Sequence, residues 1–461
     1  MENAIHQDNI VRRMAKRLGG GMEKWMPDAF IWALVLTIIV FFMGIFIANQ
    51  TPFDMIRFWA EGFSGFLLFS MQMVLVMVTG NCLGTSPIFK KVLRKIGRLP
   101  KSWWGPYVFT VIVCAMVGYI NWGLSFVIGA LLSKRMALDN PSADYPALVA
   151  AAFAGAYAGI FGLSNSAPLM VNTPGHALYD QMGLVPLTDT VVMPATTITI
   201  LALVMGMAFV FRLMAPRPEE AKTLQVLGVY EAFVADDEDP EPVVDRSQWG
   251  FAQWMNNTPI LIIPLFVAGI IYIVWFFATR GFDLNLNIFI FVFFMLGIIA
   301  QKTPENYINA MKNSVKSVSS LVLNFPFYGG LQGMMRDSGL VTIIANWFVR
   351  ISTPITFTFI SFVSAAIISL AVPSAGGQWL IHGPILVEAG VQMGSPLYQI
   401  VNSYSYGDIL ANYIQPFWAL PILSMAGLKV KDIWGYTMIA GIVYFTIATI
   451  TLFTQAALYL A

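Results

Sequence analysis

Apolar residues in this chain fall in long unbroken blocks separated by short polar, often basic, punctuation. Residues 31–48, 190–211, 259–279, 284–301, 317–335 and 433–461 carry no Asp, Glu, Lys or Arg. One helical crossing of a bilayer needs about 20 such residues, so the pattern predicts an all-α polytopic membrane protein. Two further charge-free blocks are broken at their centre. Residues 351–387 contain Ala371-Val-Pro-Ser-Ala-Gly-Gly-Gln-Trp379, and residues 104–133 are interrupted at Asn121-Trp-Gly123. In lipid, the N–H and C=O groups freed by such a break find no water, so it must sit in protein or beside a watery cavity. Each block therefore predicts a re-entrant hairpin whose tip stops inside the membrane.

Charge placement orients these elements. Arg12, Arg13, Lys16, Arg17 and Lys24 assign the N-terminus to the cytoplasm, where residues 10–18 read as an amphipathic surface helix. The first crossing, 28–48, leads out and the second, 60–84, leads back. Lys90, Lys91, Arg94, Lys95, Arg98 and Lys101 mark a basic surface helix. Lys134 and Arg135 close the next apolar block on that same side, so the block enters and leaves from one face. Residues 145–163 cross outward into Ser164-Asn-Ser-Ala-Pro-Leu-Met-Val-Asn-Thr-Pro-Gly175, too rich in Pro, Gly and small polar residues for a regular helix. Residues 190–214 return.

The second half repeats this order upside down: a surface segment at 340–350, a hairpin tip at 373–378, a crossing at 396–421 and a last helix. Its broken part reads Tyr406-Gly-Asp-Ile-Leu-Ala-Asn-Tyr-Ile-Gln-Pro416, and the C-terminus is expected outside. A shift of 252 carries Ser86-Pro87 to Ser338-Gly339 and Asn121 to Pro373, and a shift of 242 carries Thr173-Pro174 to Gln415-Pro416. Inverted repeats with discontinuous helices characterise secondary transporters. The expected organisation is a surface helix and first crossing (1–61) followed by repeat 1 (62–214), with its tip near 121–125 and broken helix near 164–175. An acidic cytoplasmic linker (215–257) and connecting transmembrane helices (258–316) lead to repeat 2 (317–461), with its tip near 373–379 and broken helix near 406–416.

Composition removes several other classes. Of 461 residues, 57% are hydrophobic and 11% charged, against about 25% charged in a soluble domain. A net charge of +1, spread as above, gives no reason to expect nucleic acid. Residues 217–246 hold nine acids and three bases, the pattern of a solvated connector. Cys82 and Cys114 fall in membrane segments, which argues against a disulfide framework. Zinc-ligand spacings, phosphate-cradling glycine motifs and nucleophile–base pairs do not occur, so an enzyme is not expected.

Helix ends at the midplane suit small ions: N-terminal ends attract a carboxylate, while C-terminal ends and unwound carbonyls attract a cation. The candidates for substrate binding are Asn121, Trp122, Gly123, Ser125, Asn172 and Thr173, with Ser374, Gly376, Gly377, Gln378 and Trp379 from the second half. Ion coupling falls to Asn165, Asp408, Asn412, Gln415 and His382, with Na⁺ expected near Asn121, Asn165, Ser374 and Asp408 and no other cofactor. Asp408 is the only ionisable residue in 389–428 apart from tyrosines, and an intramembrane acid is functional by default. His382 titrates near neutral pH when unperturbed. Neither hairpin arm nor either broken segment contains Lys or Arg, so a bound carboxylate is balanced by helix ends plus a cation, or enters protonated. Either choice implies coupled transport. Trp122, Trp379, Phe325, Phe327 and Met170 are candidates for an apolar wall, whereas Glu61, Asp189 and Glu388 read as interfacial. Two other readings stay open: single Gly, Ser and Asn residues that only satisfy backbone or pack helices, and a Na⁺/H⁺ antiporter exchanging cations at Asp408.

At these motifs the chain resembles the bacterial short-chain fatty acid transporter family. The resemblance rests on Trp25-Met-Pro-Asp28, Met71-Gln-Met with Thr79-Gly80, Ile120-Asn-Trp-Gly123 and Asn172-Thr-Pro-Gly175, and continues through Asn324-Phe-Pro-Phe-Tyr328, Ala371-Val-Pro-Ser374 and Gln415-Pro-Phe-Trp-Ala-Leu-Pro421. It implies transport of small monocarboxylates such as butyrate or acetoacetate in the bacterial inner membrane, with a dicarboxylate as the alternative cargo. It also implies kinship with the ion transporter superfamily, whose divalent anion/sodium symporters are elevator-type dimers, so a homodimer in the lipid bilayer is expected. The chain departs from the family pattern at the second tip, where Ala375-Gly-Gly-Gln378 replaces a glycine triplet followed by His, and at Asp408, where the family often has Glu.

Overall fold

A computed structural model describes residues 29–238, 249–415 and 418–460. The amphipathic N-terminal segment 10–18, the acidic run at 239–241 and the Pro416-Phe417 pair lie outside the described residues. Among the described residues every regular element is a helix. Helices α1 (Ala29–Phe46), α2 (Pro52–Gly65), α3 (Leu67–Gly84) and α4 (Pro87–Ile96) precede the first broken block, which forms α5 (Gly105–Ile120) and α6 (Trp122–Asp139). Then come α7 (Tyr145–Gly159), the short α8 (Ser166–Val171) and α9 (Tyr179–Met182), and α10 (Pro194–Met214). The linker contains α11 (Tyr230–Glu238) and α12 (Phe251–Asn257), and α13 (Ile262–Arg280), α14 (Leu286–Gln301) and α15 (Pro304–Val315) follow. The second half comprises α16 (Ser319–Asp337), α17 (Leu340–Ile351), α18 (Phe357–Ala371), α19 (Ala375–Gln392), α20 (Leu397–Ile414), α21 (Ala419–Ala426) and α22 (Val430–Leu460). Among the described residues, five helical stretches are long and apolar enough to cross a membrane: 67–84, 194–214, 259–280, 397–426 and 430–460. Shorter apolar helices pack around them.

Both broken blocks solve the backbone problem in the same way. Asn121 is extended (φ −151°, ψ 119°) and its Oδ1 accepts the Leu124 N–H at 2.9 Å, capping α6. Ser374 is extended (φ −150°, ψ 106°) and its Oγ accepts the Gly377 N–H at 3.3 Å, capping α19. Four residues beyond each cap, a side chain staples the two arms together. Ser125 Oγ donates to the Cys114 carbonyl (2.9 Å), and Gln378 Nε2 donates to the Ala365 carbonyl (2.7 Å). The arms α5/α6 and α18/α19 therefore lie side by side.

Glycine allows the closest helix approaches. On α7, Gly155 and Gly159 rest on the Val111 and Ala115 backbone of α5, where a Cβ would strike a carbonyl oxygen. On α20, Gly407 rests in the same way on the Phe362 carbonyl of α18. Small residues spaced in this fashion are how helices associate in lipid, where apolar burial gives no drive.

Several sequence expectations need correction. The crossing expected at 60–84 divides at Phe66 into α2 and α3. The reason is that Gly62 of α2 is held against Gly329 and Gly333 of α16, which fixes that segment as a separate packed helix. The segment 164–175 is not wholly unwound: the chain breaks at 160–165, then forms one short helix, α8. The segment 406–416 is helical as far as Ile414, because Gly407 serves close packing rather than a break; the interruption begins at Gln415. The linker is not simply a solvated connector, since Lys222 donates its backbone N–H to Asp144 (2.8 Å) and accepts the Tyr145 N–H (3.1 Å) at the start of α7.

Replacing Gly159 by Leu should force α5 and α7 apart and destabilise the protein by at least about 1–3 kcal/mol, as overpacking does. A lowered unfolding temperature of the purified protein in detergent is the readout, with Gly65→Ala, at an exposed glycine with open space around it, as a control for handling.

Candidate functional site

The breaks described above converge on one cavity. Its polar rim is Asn165 and Ser166 at the start of α8, Ser374 at the cap of α19, and Asp408 and Asn412 on α20. Its apolar wall is aromatic and aliphatic, with Trp122, Phe126 and Tyr157 on one side and Met73, Leu321 and Phe325 on another. Trp418, where the chain enters α21, closes the gap between the two halves. The Trp418 Nε1–H donates to the Pro373 carbonyl at 2.6 Å, while its ring meets Trp122 edge-on at 5.4 Å. One side chain thus touches both tips.

The electrostatics are uneven. The eighteen-residue helices α6 and α19 begin at this cavity, so both present the partly positive end of their dipoles to it. Asp408 is the only ionisable carboxylate of the lining, which contains no Lys, Arg or His. Its Oδ1 accepts the Ser369 hydroxyl at 3.0 Å. Asn412 is fixed in place, donating to the Asp408 carbonyl (2.8 Å) and accepting from Gln415 (3.0 Å). Asn165 is buried, yet its Oδ1 has no hydrogen-bond partner. A buried carbonyl oxygen of this kind can serve an oxygen-ligated cation such as Na⁺.

Of the residues singled out from sequence, Trp122, Asn165, Ser374, Asp408 and Asn412 line the cavity, as does Phe325 of the apolar candidates. Asn121, Ser125, Gln378 and Gln415 stand behind that lining and hold it in shape through the bonds given above. Gly123 lies on the Met77 backbone, Gly376 on the Phe69 ring and Gly377 on the Tyr328 ring. Trp379 is fully buried with its ring centroid 4.8 Å from that of Tyr404. His382 sits deeper still, 3.3 Å from Ser364 Oγ. Asn172 and Thr173 point elsewhere, holding the Leu284 carbonyl (3.1 Å) and the Leu286 N–H (3.0 Å) ahead of α14. Phe327 joins a cluster with Phe30, Trp59 and Phe63, and Met170 lies outside the lining.

Sequence reasoning missed Met73, Phe126, Tyr157 and Trp418. The first three are apolar residues inside helices and carry no local signal. Trp418 did carry one: it stands in the motif Gln415-Pro-Phe-Trp-Ala-Leu-Pro421, two positions after a proline in an apolar stretch.

Trp418→Phe keeps the ring but leaves the Pro373 carbonyl without its donor, which should cost about 1–3 kcal/mol. Thermal unfolding of the variant in detergent measures that loss, and an unchanged unfolding temperature would show that the contact contributes nothing.

Comparisons with known proteins agree along almost the whole chain. Residues 10–455 match the family model described as short chain fatty acid transporter. A protein of Escherichia coli K12 provisionally described as a short-chain fatty acid transporter is 33% identical over 94% of this chain and 97% of its own. A Haemophilus influenzae Rd protein of the same description is 32% identical, with the same coverage of both chains. The crystal structure of the Alcanivorax borkumensis YdaH transporter, 14% identical, superposes with a TM-score of 0.56 over 94% of this chain and 99% of its own, a likeness of fold alone. The chain is a multi-pass membrane protein that belongs to the short-chain fatty acid transporter family, a family of transporters rather than enzymes.

Proposed function

We propose that this protein is a secondary active transporter that carries short-chain monocarboxylates across the bacterial inner membrane together with a cation. One observation carries the reading: a cavity with helix N-termini and apolar walls also contains a lone, buried carboxylate and no basic residue. The helix ends and the walls suit a small carboxylate with a short alkyl chain. Asp408 opposes it. Two unit charges about 4 Å apart repel by about 4 kcal/mol at an effective dielectric near 20. The anion is therefore admitted well only when Asp408 has been neutralised, by a proton or by Na⁺ held between Asp408, Ser374 and the unpartnered Asn165 oxygen. Asn121 contributes indirectly, because its oxygen is engaged in capping α6. A symporter follows from this opposition. A pure Na⁺/H⁺ antiporter would leave the apolar wall without an occupant.

The mechanism we infer is an elevator built on inverted repeats, in which α5/α6 and α18/α19 are re-entrant hairpins entering from opposite faces. Reciprocal contacts support the symmetry. Tyr413 Oη donates to the Ala154 carbonyl, and the residues 252 positions away from each, Phe161 and Tyr406, stack on one another with centroids 4.7 Å apart. Thr199 and Thr451, also 252 apart, hydrogen-bond to each other at 3.2 Å. Residue i meeting j′ while j meets i′ is the pattern produced by a two-fold axis. At the shift of 252 Gln415 falls on residue 163, within the interruption that follows α7, so we favour that pairing over Thr173-Pro174 with Gln415-Pro416. The hairpins and broken helices would move as one body against the remaining helices, which would form the scaffold of a homodimer, with the N-terminus in the cytoplasm and the C-terminus outside.

Purified protein in liposomes should accumulate radiolabelled butyrate when a Na⁺ or pH gradient is imposed, and Asp408→Asn should abolish that accumulation while eluting as the wild type does on size exclusion. Wild-type protein that accumulates no short-chain acid under either gradient would overturn the reading. Na⁺-driven proton flux in the absence of carboxylate would favour the antiporter instead.

A further inference from the structure

One arm of the second broken block carries a row of polar groups that the cavity does not use. Thr358, Ser361, Ala365 and Ser369 recur every three or four residues along α18 and so share one helix face. Thr358, Ser361 and Ser369 are all fully buried. The hydroxyls of Thr358 and Ser361 have no hydrogen-bond partner, whereas Ser70, Thr79 and Ser133 elsewhere in the fold donate to the carbonyl four residues back. At Ala365 the polar position is filled from α19: Gln378 bonds the Ala365 carbonyl and leaves its own Oε1 unpartnered. His382 Nδ1, one turn further along α19, is unpartnered as well. The row ends at Ser369, whose hydroxyl reaches Asp408 Oδ1, and it begins beside the exposed turn at Thr353, Pro354 and Ile355. At about 1.5 Å per residue it spans about 16 Å.

The first half provides an internal control. The staple bonds to Cys114 and Ala365, and the glycine contacts on Val111 and Phe362, set α5 and α18 in register at a shift of 251. In that register Ser369 corresponds to Gly118; the matched glycines Gly155 and Gly407 set α7 and α20 at a shift of 252, which pairs Asp408 with Ala156, against which Gly118 packs. The fold therefore accepts glycine and alanine here. Leaving several buried polar atoms unpaired costs about 1–3 kcal/mol each, so packing alone does not account for the row.

We propose that this row is a hydrated proton path that connects the α17–α18 turn to Asp408 by a route separate from the cargo cavity. Asp408 lies at the junction, with Ser369 on one side and the cavity on the other. A chain of hydroxyls and water is the usual intramembrane route to a carboxylate. Nothing basic competes for the proton at Asp408. The titratable groups that face it are the phenols of Tyr157 from α7, Tyr404 from α20 itself and Tyr444 from α22. Around His382 stand Ser364 from α18, Phe348 from α17 and Tyr404 from α20. In the orientation proposed above, the path opens to the outside. The inference deepens the symport reading and rests on it for its purpose, but its test needs no cargo.

Right-side-out vesicles containing the full chain are held at neutral pH inside while the external medium is stepped from neutral to mildly acidic. Dicyclohexylcarbodiimide, which attacks carboxylic acids in their protonated form, is added, and modification at Asp408 is quantified by mass spectrometry. Wild-type labelling should rise as the external pH falls. Thr358→Val and Ser361→Ala, which remove hydroxyls without adding bulk, should lose that response, as should Gln378→Met, while still eluting as folded protein. External pH that leaves wild-type labelling unchanged, or that drives it equally in the three variants, would overturn the path. If butyrate transport fails while labelling behaves as described, the symport reading falls and the path stands.

Discussion

Every feature of the site depends on one constraint: a peptide backbone interrupted inside a bilayer must find partners for the groups it exposes. The chain meets it twice with the same device, an extended residue whose side chain caps the following helix and a second side chain that bonds across to the other arm. Asn121 with Ser125, and Ser374 with Gln378, are interchangeable in role although the residue types differ. With the breaks so held, the first turns of α6 and α19 can face a shared cavity without collapsing onto it. Trp418 then ties the tips together, bonding to one and packing on the other.

The repeat symmetry proposed above does not extend to the site. The contacts paired across α7 and α20 differ in kind, a hydrogen bond in one case and a ring stack in the other, and only the second half places an acid at the junction, where the first has Ala156. That asymmetry separates a packing requirement from a chemical one. Glycine at 118 and alanine at 156 already give the close helix approach that lipid demands. Serine and aspartate at 369 and 408 add polar groups whose burial is unfavourable unless they interact with something that comes and goes. The cavity lining contains no Lys or Arg that would satisfy Asp408 permanently, which is what the proposed dependence of anion entry on a second ion requires.

Much of this was legible in the residues themselves. Charge-free blocks marked the apolar helices, and the sequence breaks at Asn121 and Ser374 coincide with helix interruptions, because helix-breaking residues in an apolar run have few physical explanations. Asp408 stood out for its isolation among uncharged neighbours. The motifs from Met71 to Pro421 pointed to the short-chain fatty acid transporter family, and the whole-chain comparison agrees. Less legible was the purpose of each glycine and proline. Gly407 looked like part of a break and is a packing surface; Asn172 and Thr173 looked like binding groups and hold α14.

The sequence by itself determined which stretches are apolar enough for the membrane, where helices are interrupted, and that Asp408 stands alone among uncharged neighbours, because these follow from local composition and the cost of exposing backbone to lipid. Tertiary structure alone decided which polar residues face the cavity and which are consumed as caps and staples. It also decided which apolar residues form the wall, as with Met73, Phe126, Tyr157 and Leu321, drawn from four different helices. Local composition cannot encode that choice. A serine that caps, a serine that staples and a serine that lines a pocket have the same chemistry, and only the partner brought against each by the packing of distant helices tells them apart.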